Sequence, residues 1–546
     1  MNPDHPDSVR VVSDLEDDRE WRIAVIAYQH DPHDKAADPL HSIAQDIATV
    51  ARNGSVLVFA NSRRVVELLA DVLSEMAEES PGSFPLVLAH HGSLSKSVRE
   101  RAEQAAKDGQ RVILIATSSL ELGIDIGSFK RVCHVDVPWS IVALRQRMGR
   151  SGRKEGQPSI LRIYTRDRLP IREVSLTAAL YPNLLRAIAM VELLLKGKLE
   201  PAEGDKLNLS TLVHQILSSL RQWGAIQAEK LYEFLCMRGL FGKVDQQLFV
   251  DVLHSLNEHN LVQQNSEIAI VLGKEGRRLT EEAEFCAAFV TNDEFTVRHN
   301  EDTIGLLPAS QLPKPGKLIL LAARRWRVDS IQPRNKTVDV TPADAGDVPV
   351  FLGAVGDIHT IIFKQMQECL RANEVPKYLD PMALRLFDSG RRTARNAGLD
   401  QHEILISGSN VTWFPWIGTR GLMTLGLFAE HEKLKFGPDG LCVHFAGLGA
   451  DRFCAFLRRI TSGTVDPVTL AALMPEKRFQ KFDCYLNPAI LDRANANDRL
   501  DVQSVIDAAA SALKELGDGR HLGHDIVDAL SRTIGEHPDR LASCYG

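Results

Sequence analysis

Three short runs constrain this chain more than anything else in it: SVLVFA at residues 55–60, PLVLAH at 85–90 and RVILIA at 111–116 are apolar at nearly every consecutive position. A strand with one wet face alternates apolar and polar residues, so runs without alternation belong to strands buried on both faces. Residues 63–77 and 96–107, which separate them, carry helical periodicity, and residues 131–137 and 160–164 continue the alternation of strand and helix. Strands of this kind joined by helices of ten to fifteen residues predict a parallel sheet covered on both sides, an α/β lobe over residues 46–170.

The rest of the 546 residues is read more coarsely. Residues 1–45, rich in Asp, His and Pro, read as an acidic, irregular leader, and 171–206 as a helical linker. Residues 207–280 read as helices followed by a hairpin, the order of a winged helix, although a bundle that only packs has the same pattern. From 285 to 350 the periodicity switches to two, with Gly and Pro turns, as in a small β-barrel. Residues 351–460 read as a mixed α/β, helical-bundle region and 461–546 as a helical tail. The fold class expected is thus multidomain α/β plus α+β.

Composition excludes several classes. With 44% apolar residues, 64 Lys+Arg against 71 Asp+Glu and no apolar run near the roughly 18 residues that span a bilayer, neither disorder nor a membrane helix is expected, and a cytoplasmic address follows. The eight cysteines lie far apart without a CxxC pair, so neither zinc nor a disulfide frame is expected. A net charge of −7 argues against a generic nucleic-acid binder, but residues 131–173 hold ten bases against four acids.

Four blocks stand out, the first three where predicted strands end, the position at which open α/β sheets bind ligands, and the fourth further along the chain. They are VLVFANSRR at 56–64, HHGSLS at 90–95, ATSSLELGIDIG at 116–127 and QRMGRSGR at 146–153. The adjacent histidines His90 and His91 should point to opposite faces of an extended segment, and no acid stands at ligand spacing beside them, so no metal is expected there.

In this order and spacing the blocks resemble motifs IV, V and VI of the second RecA-like lobe of superfamily 2 helicases. The wording HHGSLS followed by ATSSLELGID is close to the large helicase-related (Lhr) family, and the likeness continues through STLVHQIL at 210–217, FTVRHNEDTIGLLPASQL at 295–312, RRWRV at 324–328 and WFPWIGTR at 413–420. The resemblance implies a motor lobe followed by a winged helix, a β-barrel and a helical bundle. It also implies an ATP-dependent 3′-to-5′ helicase acting on single-stranded DNA or an RNA:DNA hybrid. Many Lhr proteins end motif VI in His where this chain has Arg153.

Residue by residue, the resemblance makes Arg150 and Arg153 arginine fingers for phosphoryl transfer and Asp125 a partner of the ATP ribose. Gly123 would turn closely beside it, with Gln146 and Arg147 holding the motif VI loop. Taken in isolation, Asp125 reads as a helix or turn cap and the arginines as a solvated basic face. Nucleic acid would lie on Asn61, Ser62, Arg63, His91, Gly92, Ser93, Thr117 and Ser118, whose amides and short hydroxyls suit phosphate. Trp326 and Trp416 are candidates for base stacking, with a core role as the competing reading.

The sequence contains no GxxxxGK[ST] loop and no Asp-Glu box, so it carries fingers without a phosphate cradle. ATP with Mg²⁺ is therefore expected only at a composite site, completed by a P-loop lobe on another chain or upstream, with negligible ATPase from this chain alone. The alternatives are an ATP-independent nucleic-acid-binding subunit and an interaction scaffold derived from a motor.

Overall fold

The computed structural model describes residues 20–30, 39–79, 84–121, 126–127, 129–152, 157–168, 176–288, 294–300, 302–308, 312, 314–321, 324–333, 335–343, 356–517 and 522–523. In the first lobe, β1 (Trp21–His30), α1 (Pro39–Ala51), β2 (Val56–Ala60), α2 (Arg63–Glu79), β3 (Leu86–His90), α3 (Lys96–Lys107), β4 (Val112–Ala116), β5 (Arg131–Val135), α4 (Ile141–Met148) and β6 (Ser159–Arg168) follow one another. The six strands form one sheet in the order β1-β6-β5-β2-β4-β3, every pair parallel. The expected parallel lobe is present.

Its two-faced burial can be followed residue by residue. Leu57 and Phe59 of β2, with Val112, Leu114 and Ala116 of β4, enter one core; their neighbours Val56, Val58, Ala60, Ile113 and Ile115 enter the core on the opposite face. Each such Val, Leu, Ile or Phe side chain contributes roughly 1.5–3 kcal/mol on burial, which is why continuous apolar runs identify these strands.

The leader departs from expectation. Instead of an irregular segment to residue 45, residues 21–30 form β1, paired with β6 over all ten positions. The far edge of β1 is closed by residues 378–380: the Val25 amide donates to Tyr378 O at 2.8 Å, and the Asp380 amide to Val25 O at 2.9 Å. A parallel partner some 140 residues away leaves no local signature, and the acidic surroundings mask the strand.

The lobe is followed by α5 (Leu176–Ala179) and α6 (Pro182–Leu195), whose apolar residues join the first core together with α11 (Thr360–Arg371) and α12 (Pro381–Asn396). Between them in sequence lie two further units. The first contains α7 (Leu209–Trp223), β7 (Ala225–Gln227), α8 (Ala228–Tyr232), α9 (Gln246–Glu258), β8 (Val262–Gln264), β9 (Ala269–Leu272) and α10 (Lys274–Glu281), with a sheet in the order β7-β9-β8. The second is a five-stranded sheet of β10 (Glu294–His299), β11 (Asp302–Pro308), β12 (Leu318–Leu321), β13 (Arg324–Gln332) and β14 (Thr337–Pro342).

The C-terminal region is built on β15 (Ile404–Ser407), β16 (Asn410–Trp413), α13 (Thr419–His431), β17 (Phe436–Asp439), β18 (Cys442–Phe445) and α14 (Gly449–Thr461). Helices α15 (Pro467–Ala472), α16 (Pro488–Asp498) and α17 (Val502–Gly517) follow. They do not form an independent tail: Phe482, Leu486, Ile490 and Leu491 complete the core of the α7–α10 unit, while Val505, Ala509 and Ala512 pack in the core of the β15–β18 sheet. No helix among the described residues is long and apolar enough to cross a membrane.

Candidate nucleotide and nucleic-acid edge of the first lobe

Because β5, β2, β4 and β3 are adjacent and parallel, their C-terminal ends lie along one rim of the sheet. Topology alone therefore brings Asn61, His91 and Thr117 together. The Asn61 amide nitrogen donates to Val137 O at 2.6 Å, tying the exits of β2 and β5. Ser62 Oγ accepts from the Val65 amide at 3.2 Å, capping α2, so this hydroxyl is already engaged by the helix. Ser118 is exposed at the turn after β4, Thr117 is half-buried, and Gly92 is exposed.

The two histidines do diverge, but acids that the spacing does not reveal meet them. His90 lies between Ser119 Oγ and Glu103 Oε1, both at 2.9 Å, and His91 Nε2 faces Glu67 Oε1 at 2.6 Å. Burial holds the His90 pKa below its ordinary value despite the opposing pull of Glu103. Tertiary packing of α2 and α3 supplies these carboxylates. His91 and Ser93, expected to contact nucleic acid, are instead 1% and 2% exposed.

Glu67 of α2 holds His91, while the β10–β14 sheet covers Ser93. Its β11 docks on the motif segment: the Ser95 amide donates to Ile304 O at 3.1 Å, the Leu306 amide donates to Ser93 O at 2.5 Å, and Leu94 bridges Gly305 in antiparallel fashion. A Cβ on Gly305 would stand 2.4 Å from Ser93 O, so only glycine permits this approach. Arg63 donates to Ser93 Oγ and lies 3.8 Å from Glu294 of β10, but its side chain remains 46% exposed. The rim available to a strand is thus Arg63, Gly92, Thr117 and Ser118, with Asn61 and Ser62 partly accessible and His91 and Ser93 behind them.

At the neighbouring end of α4, Ser140 Oγ caps the first turn by accepting from Ala143 N, and the helix ends at Met148 with Gly149 and Arg150 in a turn. Arg147 is 5% exposed; its Nε donates to Glu121 Oε2 at 3.1 Å, and its guanidinium lies 5.0 Å from the Phe59 ring centroid. Arg150 Nη2 donates to the Glu121 carbonyl at 2.8 Å. Glu121 therefore gathers both arginines, the carboxylate holding one and the backbone the other. Burial lowers the Arg147 pKa, and the Glu121 charge opposes that shift.

Motif reasoning passes over Glu121, although it stands inside ATSSLELGID, the one acid between the β4 exit and Asp125. Gln146 is half-buried on the same helix. Gly123, Asp125 and Arg153 lie outside the described residues. Gly152 has φ +66°, and a Cβ there would stand 2.9 Å from the Ser159 amide, which fixes a glycine in the motif VI turn.

Below this rim, His134 of β5 is 0% exposed, and neither ring nitrogen has a hydrogen-bond partner among the described residues. Burial, reinforced by the Arg147 charge, holds its pKa well below the ordinary value. It is a neutral imidazole beside the Phe59 ring, at 5.6 Å between centroids.

The aromatic candidates require correction. Trp326 is 5% exposed, with its Nε1 donating to Leu321 O at 2.8 Å inside the β10–β14 sheet. Trp416 is 2% exposed and packs 5.9 Å from Phe414, while Trp413 is fully buried against Phe453. Both indoles expected to stack on bases have their faces taken by core neighbours, because a Trp buries some 150–250 Å² and is more valuable in a core than beside water. Arg420, after this aromatic run, is tied to Glu203 and Asp357.

Comparison with known proteins agrees with this architecture. The helicase conserved C-terminal domain matches residues 39–155. The chain is 29% identical over 187 residues to the ATP-dependent helicase Lhr-Core of Sulfolobus acidocaldarius, covering 34% of this chain and 20% of that protein. It is 31% identical over 209 residues to the Lhr helicase/uracil glycosylase of Escherichia coli, covering 34% of this chain and 13% of that one. It thus spans no more than about a fifth of the length of these relatives. In fold it is similar to the Mycobacterium smegmatis helicase Lhr bound to ssDNA and AMP-PNP, with TM-score 0.61 and 17% identity over 95% of this chain and 71% of that chain. The chain thus matches a helicase conserved C-terminal domain at residues 39–155, is similar over 34% of its length to these Lhr helicases, and is similar in fold over 95% of its length to the Mycobacterium smegmatis helicase Lhr.

Proposed function

We propose that this chain is the C-terminal part of an ATP-dependent nucleic-acid helicase or translocase, supplying arginines to a nucleotide and a phosphate-binding rim to one strand. The observation that carries this is the pairing, on one edge of one sheet, of an open polar rim with two guanidinium groups gathered by Glu121. Arg147 Nη1 is buried without a hydrogen-bond partner among the described residues, so this corner has donor capacity that an anionic phosphate would satisfy. ATP, when bound there, supplies a phosphoanhydride whose cleavage builds negative charge on the departing phosphoryl group. Arg150 would leave the Glu121 carbonyl and face that charge as a second lobe closes. Arg147 would stay on Glu121 and keep the turn rigid, and Arg153 would act beside Arg150.

The residues that cradle phosphates and hold Mg²⁺ belong, in this reading, to a P-loop lobe on another chain or upstream. On the rim, Arg63 and the hydroxyls and amides at Thr117, Ser118 and Gly92 hold the sugar-phosphate backbone of single-stranded DNA or a hybrid without reading bases. Two likenesses support the reading: the Sulfolobus acidocaldarius relative is an ATP-dependent helicase, and the Mycobacterium smegmatis helicase similar in fold is bound to ssDNA and AMP-PNP.

The test is an ATPase measurement on the chain alone and with a P-loop lobe added. The chain alone is expected to be inactive even with single-stranded DNA. With the lobe, activity should appear and Arg150→Ala should remove about 10³-fold or more of it. A robust DNA-stimulated rate from the lone chain would overturn the composite site. An Arg150→Ala variant as active as the parent would remove the finger role.

A further inference from the structure

We propose that Asp439, Cys442 and His444 form a zinc site on the β17–β18 hairpin, with the fourth coordination position open to solvent. None of these residues belongs to the rim described above. Cys442 and His444 are two apart on β18, so their side chains leave the same face of the sheet, and Asp439 is the cross-strand partner of Cys442. The hairpin thus brings a thiol, an imidazole and a carboxylate together with no help from the rest of the fold.

The spacing suits a tetrahedral ion. Cys442 Sγ and His444 Nε2 are 3.4 Å apart, against an edge of about 3.5 Å for a zinc with ordinary Zn–S and Zn–N bonds. His444 Nε2 lies 3.9 Å from Asp439 Oδ2, and the three ligand atoms all fall within 4.8 Å of one another. The remaining closure requires only a small rotation of Asp439, which is 35% exposed.

The surroundings are arranged as they are around metal ligands. His444 Nδ1 lies 2.9 Å from Thr412 Oγ1 on β16, which fixes the ring and leaves Nε2 for the ion. Thr177 Oγ1, from α5, is 3.4 Å from Cys442 Sγ and donates to Asp439 O at 3.0 Å. Cys442 is buried, whereas His444 and Asp439 reach solvent, so an ion can enter from outside and meet the thiolate at depth. Among the described residues this is the one group of three or more such side chains with compatible spacing. A soft thiolate with imidazole and a single carboxylate favours zinc over calcium or magnesium. Bound zinc would stiffen the junction between α5 and the C-terminal sheet, because Thr177 bonds to both the thiol and the turn.

The expectation of no zinc rested on the lack of paired cysteines; the signal here is D-x-x-C-x-H across a tight turn. The full chain, stripped with chelator and titrated with Co²⁺, should take up one equivalent with thiolate-to-cobalt charge-transfer absorption, displaced by one equivalent of Zn²⁺. Cys442→Ser should abolish that absorption, His444→Gln and Asp439→Asn should each weaken binding at least tenfold, and Thr412→Val should weaken it roughly 10–100-fold. Cys454→Ser, Cys286→Ser and Cys484→Ser should leave it intact. If Cys442→Ser fails to fold by circular dichroism, the partly exposed His444 and Asp439 variants decide. Absence of the charge-transfer band, its survival in Cys442→Ser, or affinity unchanged in both His444→Gln and Asp439→Asn would overturn the site.

Discussion

Two regions of this molecule carry residues that suit nucleic acid, and the fold treats them in opposite ways. The rim of the first lobe keeps Arg63, Gly92, Thr117 and Ser118 accessible, because parallel topology places the ends of β2, β3 and β4 outside both cores. The aromatic segments around Trp326 and Trp413–Trp416 place the same kind of chemistry inside cores, with indole exposures of 5%, 0% and 2%. Short polar residues at strand ends have little to gain from burial; a tryptophan beside an arginine in sequence has much to gain. Proximity of Arg and Trp in a sequence is therefore a weaker indicator of an accessible surface than a polar residue at the end of a buried parallel strand.

This contrast is tested most severely at the aromatic end. Truncating Trp413→Ala or Trp416→Ala should cost about 3–5 kcal/mol in chemical denaturation, with single-strand affinity falling only as far as the folded fraction falls. A stable Trp416→Ala variant with a selective loss of DNA binding would mean that the indole swings out to stack. Within the rim, Glu121→Ala should cost about 3 kcal/mol, since it leaves the buried Arg147 charge without its partner. Equal stability of parent and variant would show that Glu121 does not organise the two arginines.

A smaller effect is expected from pH. His134 is neutral in the fold, with its pKa well below that of the unfolded chain, so the folded state binds fewer protons in the window below about 6.5. Stability should fall as pH drops from about 7 toward 5, and His134→Leu should flatten that slope. Identical slopes would show that the ring finds a partner when charged. Smallest is Arg63→Ala: single-strand affinity should drop by about tenfold or less for all sequences alike, with the salt-dependence slope reduced by about one. A sequence-selective loss would contradict phosphate holding.

Much of the lobe is legible in the sequence. The runs at 56–60 and 112–116 are apolar on both faces, and each alternate residue does enter the opposite core. The blocks after them are legible as a candidate site because strand ends in a parallel sheet share an edge. What stays hidden depends on distance along the chain. β1 pairs with a strand about 140 residues later, Glu67 and Glu103 reach His91 and His90 only through helix packing, and Ser93 is covered by a strand beginning at residue 302.

Local periodicity and motif spacing were enough to define the parallel lobe, its four chemical blocks and the family resemblance, because short-range patterns keep their meaning without knowledge of distant neighbours. Which residues remain available was settled in three dimensions: β11 closes over Ser93, Glu121 holds Arg147 and Arg150, and the tryptophans are core. Burial and charge pairing are properties of what packs against a residue, and those neighbours come from anywhere in the chain.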